Sequence, residues 1–490
     1  MNRLVVVSNR VPDLAAGAQA GGLAVALEAL MQRRGGLWFG WSGKISDTPT
    51  NQATKSSTGD IEFATIDLSQ EEHDRYYNGF SNSVLWPILH SLTDLMTFDR
   101  RSAQVYAEVN KRMAASLTPL LKPTDMIWVH DYHLMQLPAV LRARGVQGPI
   151  GFFLHVPFPT PDVFNSAPDA KSLLRDLLAS DLIGFQTPND VENFAMAAQK
   201  LLGALKLSDG TLSFNGRRIR LGAFPVEIEP REFAALAASS YRNPATDRLR
   251  RSTAGQCLII GVDRLDPTKG LVQRLEGFRR LLETHENWRR NVTMLQIAAS
   301  SRQDVASYRD LRLALERSAG SINAEWGEAD WTPLRVIARA VARGTMAGYM
   351  RVARAGVVTP LRDGMNLVAK EFVAAQDPQD PGVLVLSRFA GAARQLGGSL
   401  LVNPHDPDEI AEAINAALGM SLQERQDRWQ QNWRAIEGTS ALAWGRSFVA
   451  ALIKASQPII APTRVPTVKE PTGMLPSAEP IKQGFATRPH

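Results

Sequence analysis

The sequence predicts an α/β fold with parallel sheets, arranged as two domains with a binding cleft between them. Short β-branched runs alternate with longer helical patterns along the chain, as expected for strands joined by covering helices. A chain of 490 residues is too long for one compact core. Polar and charged residues gather where the expected strands end, which in open parallel sheets is where ligands sit.

Taken in order, the apolar runs predict strands at Leu4–Ser8, Leu37–Trp41, Ile61–Asp67, Met126–His130, Ile150–Leu154 and Leu182–Gln186. Helical periodicity falls between them at Leu23–Arg33, Ala103–Leu117 and Pro188–Leu202. Near Ala223–Pro230 the pattern predicts a proline-flanked strand, followed by a polar helical stretch up to Gly255. A second series starts at Cys257–Val262. It continues with a helix after Lys269, a strand Val292–Ala298, a long helix after Gln303, and strands Ala355–Val358 and Val383–Leu386. The domain boundary is expected within 235–255, giving domains over 1–240 and 241–440. A helix from Ser440 to Ser456 closes the globular part. The 457–490 segment carries seven prolines and little apolar periodicity, which predicts a disordered tail.

Composition narrows the function. The net charge of +6 is modest for this length, and the basic residues are dispersed rather than striped with aromatics, which argues against nucleic acid as a partner. Small anionic substrates suit a mild surplus equally well. No apolar run is long enough to span a bilayer, and the N-terminus lacks the pattern of a signal peptide. The single cysteine, Cys257, excludes an internal disulfide and fits a reducing compartment. The expectation is a cytoplasmic protein without membrane association.

The most informative stretch is Thr359-Pro-Leu-Arg-Asp-Gly-Met-Asn-Leu-Val-Ala-Lys-Glu371. It leads from a strand through a turn into a helix, so free backbone N–H groups and the positive helix end face whatever lies above it. Asp363 and Glu371 flank that anion-binding turn with seven residues between them. A phosphate-bearing ligand with hydroxyls at both ends, such as a nucleotide sugar, would suit it. In Gly261-Val-Asp-Arg-Leu-Asp-Pro-Thr-Lys-Gly270, Arg264 and Lys269 form a plausible diphosphate clamp, one a fork and the other a point charge; solvated surface charges are the plainer alternative.

Other strand ends repeat the theme. Ser8-Asn-Arg10 precedes Gly21-Gly22 at a helix start, where backbone can approach a phosphate, although a plain strand–loop–helix turn is the better explanation of a glycine pair taken alone. Tyr77 to Trp86 combines aromatics with Asn and Ser, which suits a sugar face or a buried core. The strand before His130-Asp131-Tyr-His133 ends abruptly in polar groups that core packing does not explain, and His155 ends the next strand similarly. Two histidines and an aspartate could begin a metal site, but no second cluster completes the ligands. Arg302 follows the strand at Val292–Ala298. Asp406-Pro-Asp408, the lone Asp-x-Asp, precedes a helix rather than a ligand loop, so neither a metal nor a cofactor is expected.

Taken together, Ser8–Arg10, Gly21–Leu23, Leu37–Gly43, Tyr77–Trp86, Trp128–His133, Gly151–His155, Asp263–Gly270 and Thr359–Glu371 resemble the trehalose-6-phosphate synthase family of retaining glycosyltransferases, over roughly residues 1–455. The resemblance implies two facing Rossmann-like domains, the GT-B architecture, with the 441–456 helix packing back on the N-terminal domain. It also implies transfer of glucose from UDP-glucose to glucose-6-phosphate, giving trehalose 6-phosphate and UDP, with an osmoprotective role and a homo-oligomer (dimer or tetramer). Carried onto this chain, Arg10, Tyr77, Trp86, Asp131 and Arg302 would hold the acceptor. Donor contacts would come from Gly21, Gly22, Arg264, Lys269, Val341, Asp363, Leu367, Val368, Ala369, Lys370 and Glu371, with His155 and Asp363 on the glucose and Glu371 on the ribose. Arg264, Lys269, Asp131, His155 and Asp363 would be the residues closest to the chemistry. The chain departs from the family pattern at Arg339-Ala-Val341, beside the donor base, and at Pro267-Thr268 in the clamp loop. A related transferase with another donor base or acceptor (a glucosylglycerol-phosphate synthase or a pseudo-glycosyltransferase), or a non-catalytic sugar-phosphate sensor, would use much the same residues.

Overall fold

The computed structural model describes residues 2–12 and 22–456; Gly21 and the 457–490 tail lie outside the described residues. The N-terminal half contributes β1 (Leu4–Arg10), β2 (Gly36–Ile45), β3 (Thr54–Thr58), β4 (Ile61–Leu68), β5 (Met126–His130), β6 (Ile150–Phe153), β7 (Leu182–Phe185), β8 (Leu205–Lys206), β9 (Leu212–Phe214) and β10 (Arg217–Ala223). They form one sheet in the order β3-β4-β2-β1-β5-β6-β7-β10-β9-β8. The C-terminal half contributes β11 (Cys257–Arg264), β12 (Val292–Ala299), β13 (Leu334–Ile337), β14 (Ala355–Val358), β15 (Val383–Ser387) and β16 (Leu400–Val402), in the order β13-β12-β11-β14-β15-β16.

Both sheets share one plan. The run β4-β2-β1-β5-β6-β7 and the whole second sheet each start in the middle, grow outward on one side and then cross to the other, which is the Rossmann order. All ladders within these two runs are parallel, for example Val5↔Leu37, Val5↔Ile127 and Ile259↔Ala355. Helices cover both faces, so central strands such as β5, β7 and β14 are buried from end to end. That double burial is why they read as unbroken apolar runs. The strand order reverses between β1 and β5 and again between β11 and β14, and a crevice opens beyond the carboxyl ends at each reversal.

Three differences from the sequence reading have physical causes. The strand expected near Ala223–Pro230 is instead β10, ending at Ala223. Pro225 has no N–H to continue the ladder, and the chain runs on as an extended crossover in which Val226 N–H donates to Gln186 (2.9 Å). The polar stretch after it is two helices, Pro230–Ser240 and Pro244–Ser252, each opened by a proline in its first turn. Second, His73–Leu85 forms a π-helix, closed by Trp86 N–H donating to Ser81 O. Such wide helices gather at functional sites, and no period in the sequence announces one. Third, β3, β8, β13 and β16 are short edge strands of two to five residues, β3 and β8 exposed throughout and β13 and β16 with one buried residue each, too short for a strand period to stand out.

The Ala441–Ala455 helix lies against the N-terminal sheet. Phe448 stacks on Trp128 with centroids 4.3 Å apart and planes 8° apart. Gly151 of β6 and Gly184 of β7 make room for it: a Cβ at either would come within 2.8 Å of the Phe448 ring. No helix of the described residues is long and apolar enough to cross a membrane.

Candidate active site

The strand ends place most of the predicted residues in one crevice between the two sheets. From the N-terminal half, Arg10 ends β1, exposed, with its guanidinium 5.8 Å from the Trp41 ring. Asp131 follows β5 in a left-handed conformation (φ 74°) and accepts the backbone N–H of His155 (3.2 Å). A non-glycine residue in that region is strained, and the strain turns the carboxyl out of the strand line. Burial pushes that carboxyl up to about 6, against the opposing pull of backbone N–H groups and of Arg302 and Arg264. The π-helix carries Tyr77, whose ring lies nearly parallel to His133 (centroids 5.7 Å, 11°). It delivers Trp86 at its end.

From the C-terminal half come the cations. Arg264 ends β11 with its side chain half exposed, and Lys269 caps the short turn after it, ion-paired with Asp363. Arg302, left-handed at φ 45°, donates to the Tyr132 hydroxyl of the opposite half (3.0 Å), bonds Tyr308 and lies 4.1 Å from the Trp86 ring. The guanidinium therefore already bridges the crevice. Around Asp266 these groups converge. Asp266 is fully buried, accepts from Thr268 N–H (3.0 Å) and Oγ1 (2.9 Å), and takes the Trp86 indole N–H across the crevice (3.3 Å). Arg264 stands 3.6 Å and Arg302 3.8 Å from its other oxygen. Burial alone would raise this carboxyl, but Arg302, Arg264 and Lys269 hold it down to about 2. It is thus a fixed anion among the cations.

The Thr359–Glu371 stretch folds as the strand–turn–helix expected. After β14, Asn366 (φ 77°) caps the Leu367–Ala375 helix by accepting Ala369 N–H (3.1 Å), while its amide donates to Asp363 (3.1 Å). The open N–H groups of Leu367 and Val368 are left at the helix start. Lys269 keeps the Asp363 carboxylate below its usual range although burial opposes this. Gly364 presses on the other half: a Cβ there would collide with the carbonyl oxygen of His155. Glu371 is half-buried one turn along, and burial pushes its carboxyl up to about 7 against the pull of Arg343.

Several residues sit differently from expectation. The Lys370 side chain faces away from the crevice, fully buried. Its ammonium donates to Glu227 (2.6 Å) and Val226 O (3.0 Å), so only its backbone is left for a ligand. Ala369 is likewise buried and offers backbone alone, its N–H already given to Asn366. Trp86 is 7% exposed, with its indole N–H engaged and the Arg302 guanidinium over its ring at 4.1 Å, so it offers no open stacking face. Gly22 opens the Gly22–Arg34 helix. Val341 is half-buried just before the Arg343–Val352 helix. His130 and His133 are buried among aromatic rings, and among the described residues no group of three or more His, Cys, Asp or Glu is placed to hold a metal ion.

Sequence reasoning passed over Asp266, His90, Tyr132 and Tyr308. His90 is buried against Trp86 (4.2 Å between centroids), bonds Trp86 O through Nδ1 (2.8 Å), and is pushed down to about 4 by burial. Asp266 stood inside a motif already noted, between two cations, and a counter-ion there could have been suspected. Tyr132 likewise stood inside the His130–His133 motif, whereas His90 and Tyr308 gave no sequence signal.

A model of glycosyltransferase family 20 matches residues 5–454. A trehalose-6-phosphate synthase of Sinorhizobium fredii is 46% identical over 461 residues, covering 93% of this chain and 99% of that protein. The crystal structure of a UDP-forming α,α-trehalose-phosphate synthase from Burkholderia xenovorans, in complex with glucose-6-phosphate, is 44% identical. It superposes with a TM-score of 0.88 over 92% of this chain and all (100%) of that one. An E. coli structure bound with UDP-2-fluoro glucose is 43% identical with a TM-score of 0.88, covering 94% and 100%.

Proposed function

The chain belongs to glycosyltransferase family 20, and from that premise we propose that its cleft transfers glucose from UDP-glucose to glucose-6-phosphate, giving α,α-trehalose 6-phosphate and UDP. The observation that carries the reading is the convergence of Arg264, Lys269 and Arg302, from one sheet, on a crevice whose other wall holds Arg10, Tyr77 and Asp131. Two anionic ligands meeting there, one on each wall, match that charge.

The donor lies on the C-terminal half. Arg264 and Lys269 hold its diphosphate, with the N–H groups of Leu367 and Val368 and the backbone at Gly21 and Gly22. Asp363 and His155 orient the glucose, Glu371 takes the ribose hydroxyls, and Val341 lies by the base. The acceptor lies against Arg10, Tyr77, Trp86, Asp131 and Arg302. Its phosphate is a dianion near neutral pH, which a pair of guanidinium forks suits. Negative charge develops on the departing UDP, and fixed cations with helix N–H groups stabilise it in the transition state. Arg264 and Lys269 fill the charge-neutralising part that a divalent ion fills in metal-dependent transferases.

Glucose is transferred with retention on one face of the sugar, the departing phosphate oxygen taking the acceptor hydroxyl proton. Asp131 and Asp363 position substrates rather than form a covalent intermediate. Intact mass spectrometry of the enzyme during turnover tests this, and a glucosyl adduct would overturn it. Domains over 1–240 and 241–440, a cytoplasmic location and a homo-oligomer complete the proposal; light scattering of the purified protein distinguishes a monomer from a dimer or tetramer.

A further inference from the structure

Behind the donor-facing His155 stands a second histidine that no role assigned above uses. His130, the last residue of β5, is fully buried, and its Nδ1 lies 3.0 Å from Nε2 of His155. The two rings are nearly stacked, with centroids 5.3 Å apart and planes at 27°. Around His130 are the rings of Trp128 (4.5 Å), Phe153 (6.4 Å) and Trp444 (6.5 Å). Trp444 belongs to the C-terminal helix and also packs against His155 (6.0 Å). Among the described residues, Nε2 of His130 is buried without a hydrogen-bond partner.

That asymmetry decides where the protons sit. Burial keeps both imidazoles neutral at pH 7: His155 is pushed down to about 3, and His130 well below its usual value by burial and then by His155 itself. A neutral imidazole carries one N–H, so one ring donates across the 3.0 Å contact and the other accepts. If His155 donated, His130 would carry its proton on Nε2, a buried N–H with no acceptor. If His130 donates from Nδ1, only a bare lone pair is left among the rings. Orphaned buried N–H groups are the rarer of the two faults.

We propose that His130 is a positioning residue: its Nδ1–H donates to Nε2 of His155, which fixes the proton of His155 on Nδ1 and makes His155 meet the donor sugar as a hydrogen-bond donor. The ligand atom it selects is an oxygen with a free lone pair, on the glucose or on the phosphate that leaves it. Trp444 packs on both rings, and Phe448 backs the Trp128 and Phe153 rings that flank His130, so the C-terminal helix takes part in setting the tautomer of a residue in the crevice. The proposal deepens the donor-site reading of His155 and rests on it.

Its test uses the full-length protein with 15N-labelled histidine, assigned by single substitutions, and reads which ring nitrogen of His155 carries the proton. The expected result is Nδ1–H in the wild type; a proton on Nε2 would overturn the tautomer. In parallel, affinities for UDP-glucose and for UDP are measured by calorimetry on His130→Leu and His130→Asn. Losing one ordered hydrogen bond should weaken UDP-glucose about tenfold in His130→Leu, with UDP unchanged within about twofold. His130→Asn, whose amide can stand in for Nδ1–H, should recover most of the loss. Equal weakening of both ligands, with no recovery in His130→Asn, would indicate a packing role and overturn the proposal. His155→Ala separates the premise: unchanged UDP-glucose affinity there would overturn the sugar contact, whatever tautomer the spectrum reports.

Discussion

Glu371 offers a pH test of the donor half. Its carboxyl is half-buried in the second turn of the Leu367–Ala375 helix and titrates at about 7 because burial penalises the charged form more than Arg343 favours it. If Glu371 accepts the ribose hydroxyls, only its ionised form can do so fully, and the donor must select that form. The ionised fraction rises from about a tenth at pH 6 to about nine-tenths at pH 8, and apparent affinity scales with the competent fraction. UDP-glucose affinity should therefore increase about tenfold between pH 6 and pH 8. UDP-glucose is the right probe because its diphosphate is a diester with no proton to lose in this range, whereas the terminal phosphate of UDP titrates there. Calorimetry across the range, without acceptor, measures the slope. Glu371→Gln should flatten it and leave affinity near or below the acid-side value. An unchanged slope in Glu371→Gln, or wild-type affinity that falls as pH rises, would refute the role of Glu371 in ribose binding.

Other perturbations reach the remaining parts of the account. Arg302→Ala should raise the KM for glucose-6-phosphate about ten- to hundredfold, the range of a charge-assisted hydrogen bond, with the UDP-glucose KM changed far less; equal changes in steady-state kinetics would contradict the acceptor assignment. Lys370→Met strands Glu227 in the interior and should cost about 3–5 kcal/mol in urea denaturation, the usual penalty for halving a buried pair. Adding Glu227→Gln should restore part of that loss, because Gln395 (2.9 Å) and Thr439 (3.2 Å) can still bond the amide. Gly364→Ala should leave the fold intact by circular dichroism and lower kcat/KM, since its methyl would meet the His155 carbonyl and hold the crevice open. Turnover should survive excess EDTA if Arg264 and Lys269 carry the diphosphate charge, and abolition of activity restored by added magnesium would sink that part.

What could be read from the chain, and what could not, divides along physical lines. β5 and β14 match their expected limits because strands buried on both faces are largely apolar, with His130 alone breaking the run at the end of β5, and Pro188–Leu202 matches because a Thr187 capping box and Gly203 mark its ends. The Thr359–Glu371 turn was legible because a strand, a turn and a helix start are all local. The side-chain direction of Lys370 was not. Its partner Glu227 is 143 residues away, and nothing near Lys370 distinguishes a buried ammonium from one facing a ligand. The same holds for Trp86 and Asp266, 180 residues apart and joined only when the sheets face each other. Asp131 and Arg302 were found by their place at strand ends, but their left-handed backbones, which aim the side chains, follow from packing alone.

The most direct test of the central claim is release of UDP by the purified protein, with the sugar product identified by NMR. UDP should be released from UDP-glucose at an appreciable rate only when glucose-6-phosphate is also present, with α,α-trehalose 6-phosphate formed in equal amount. No UDP from any donor in a panel of nucleotide sugars, or release only with a different acceptor, would contradict it.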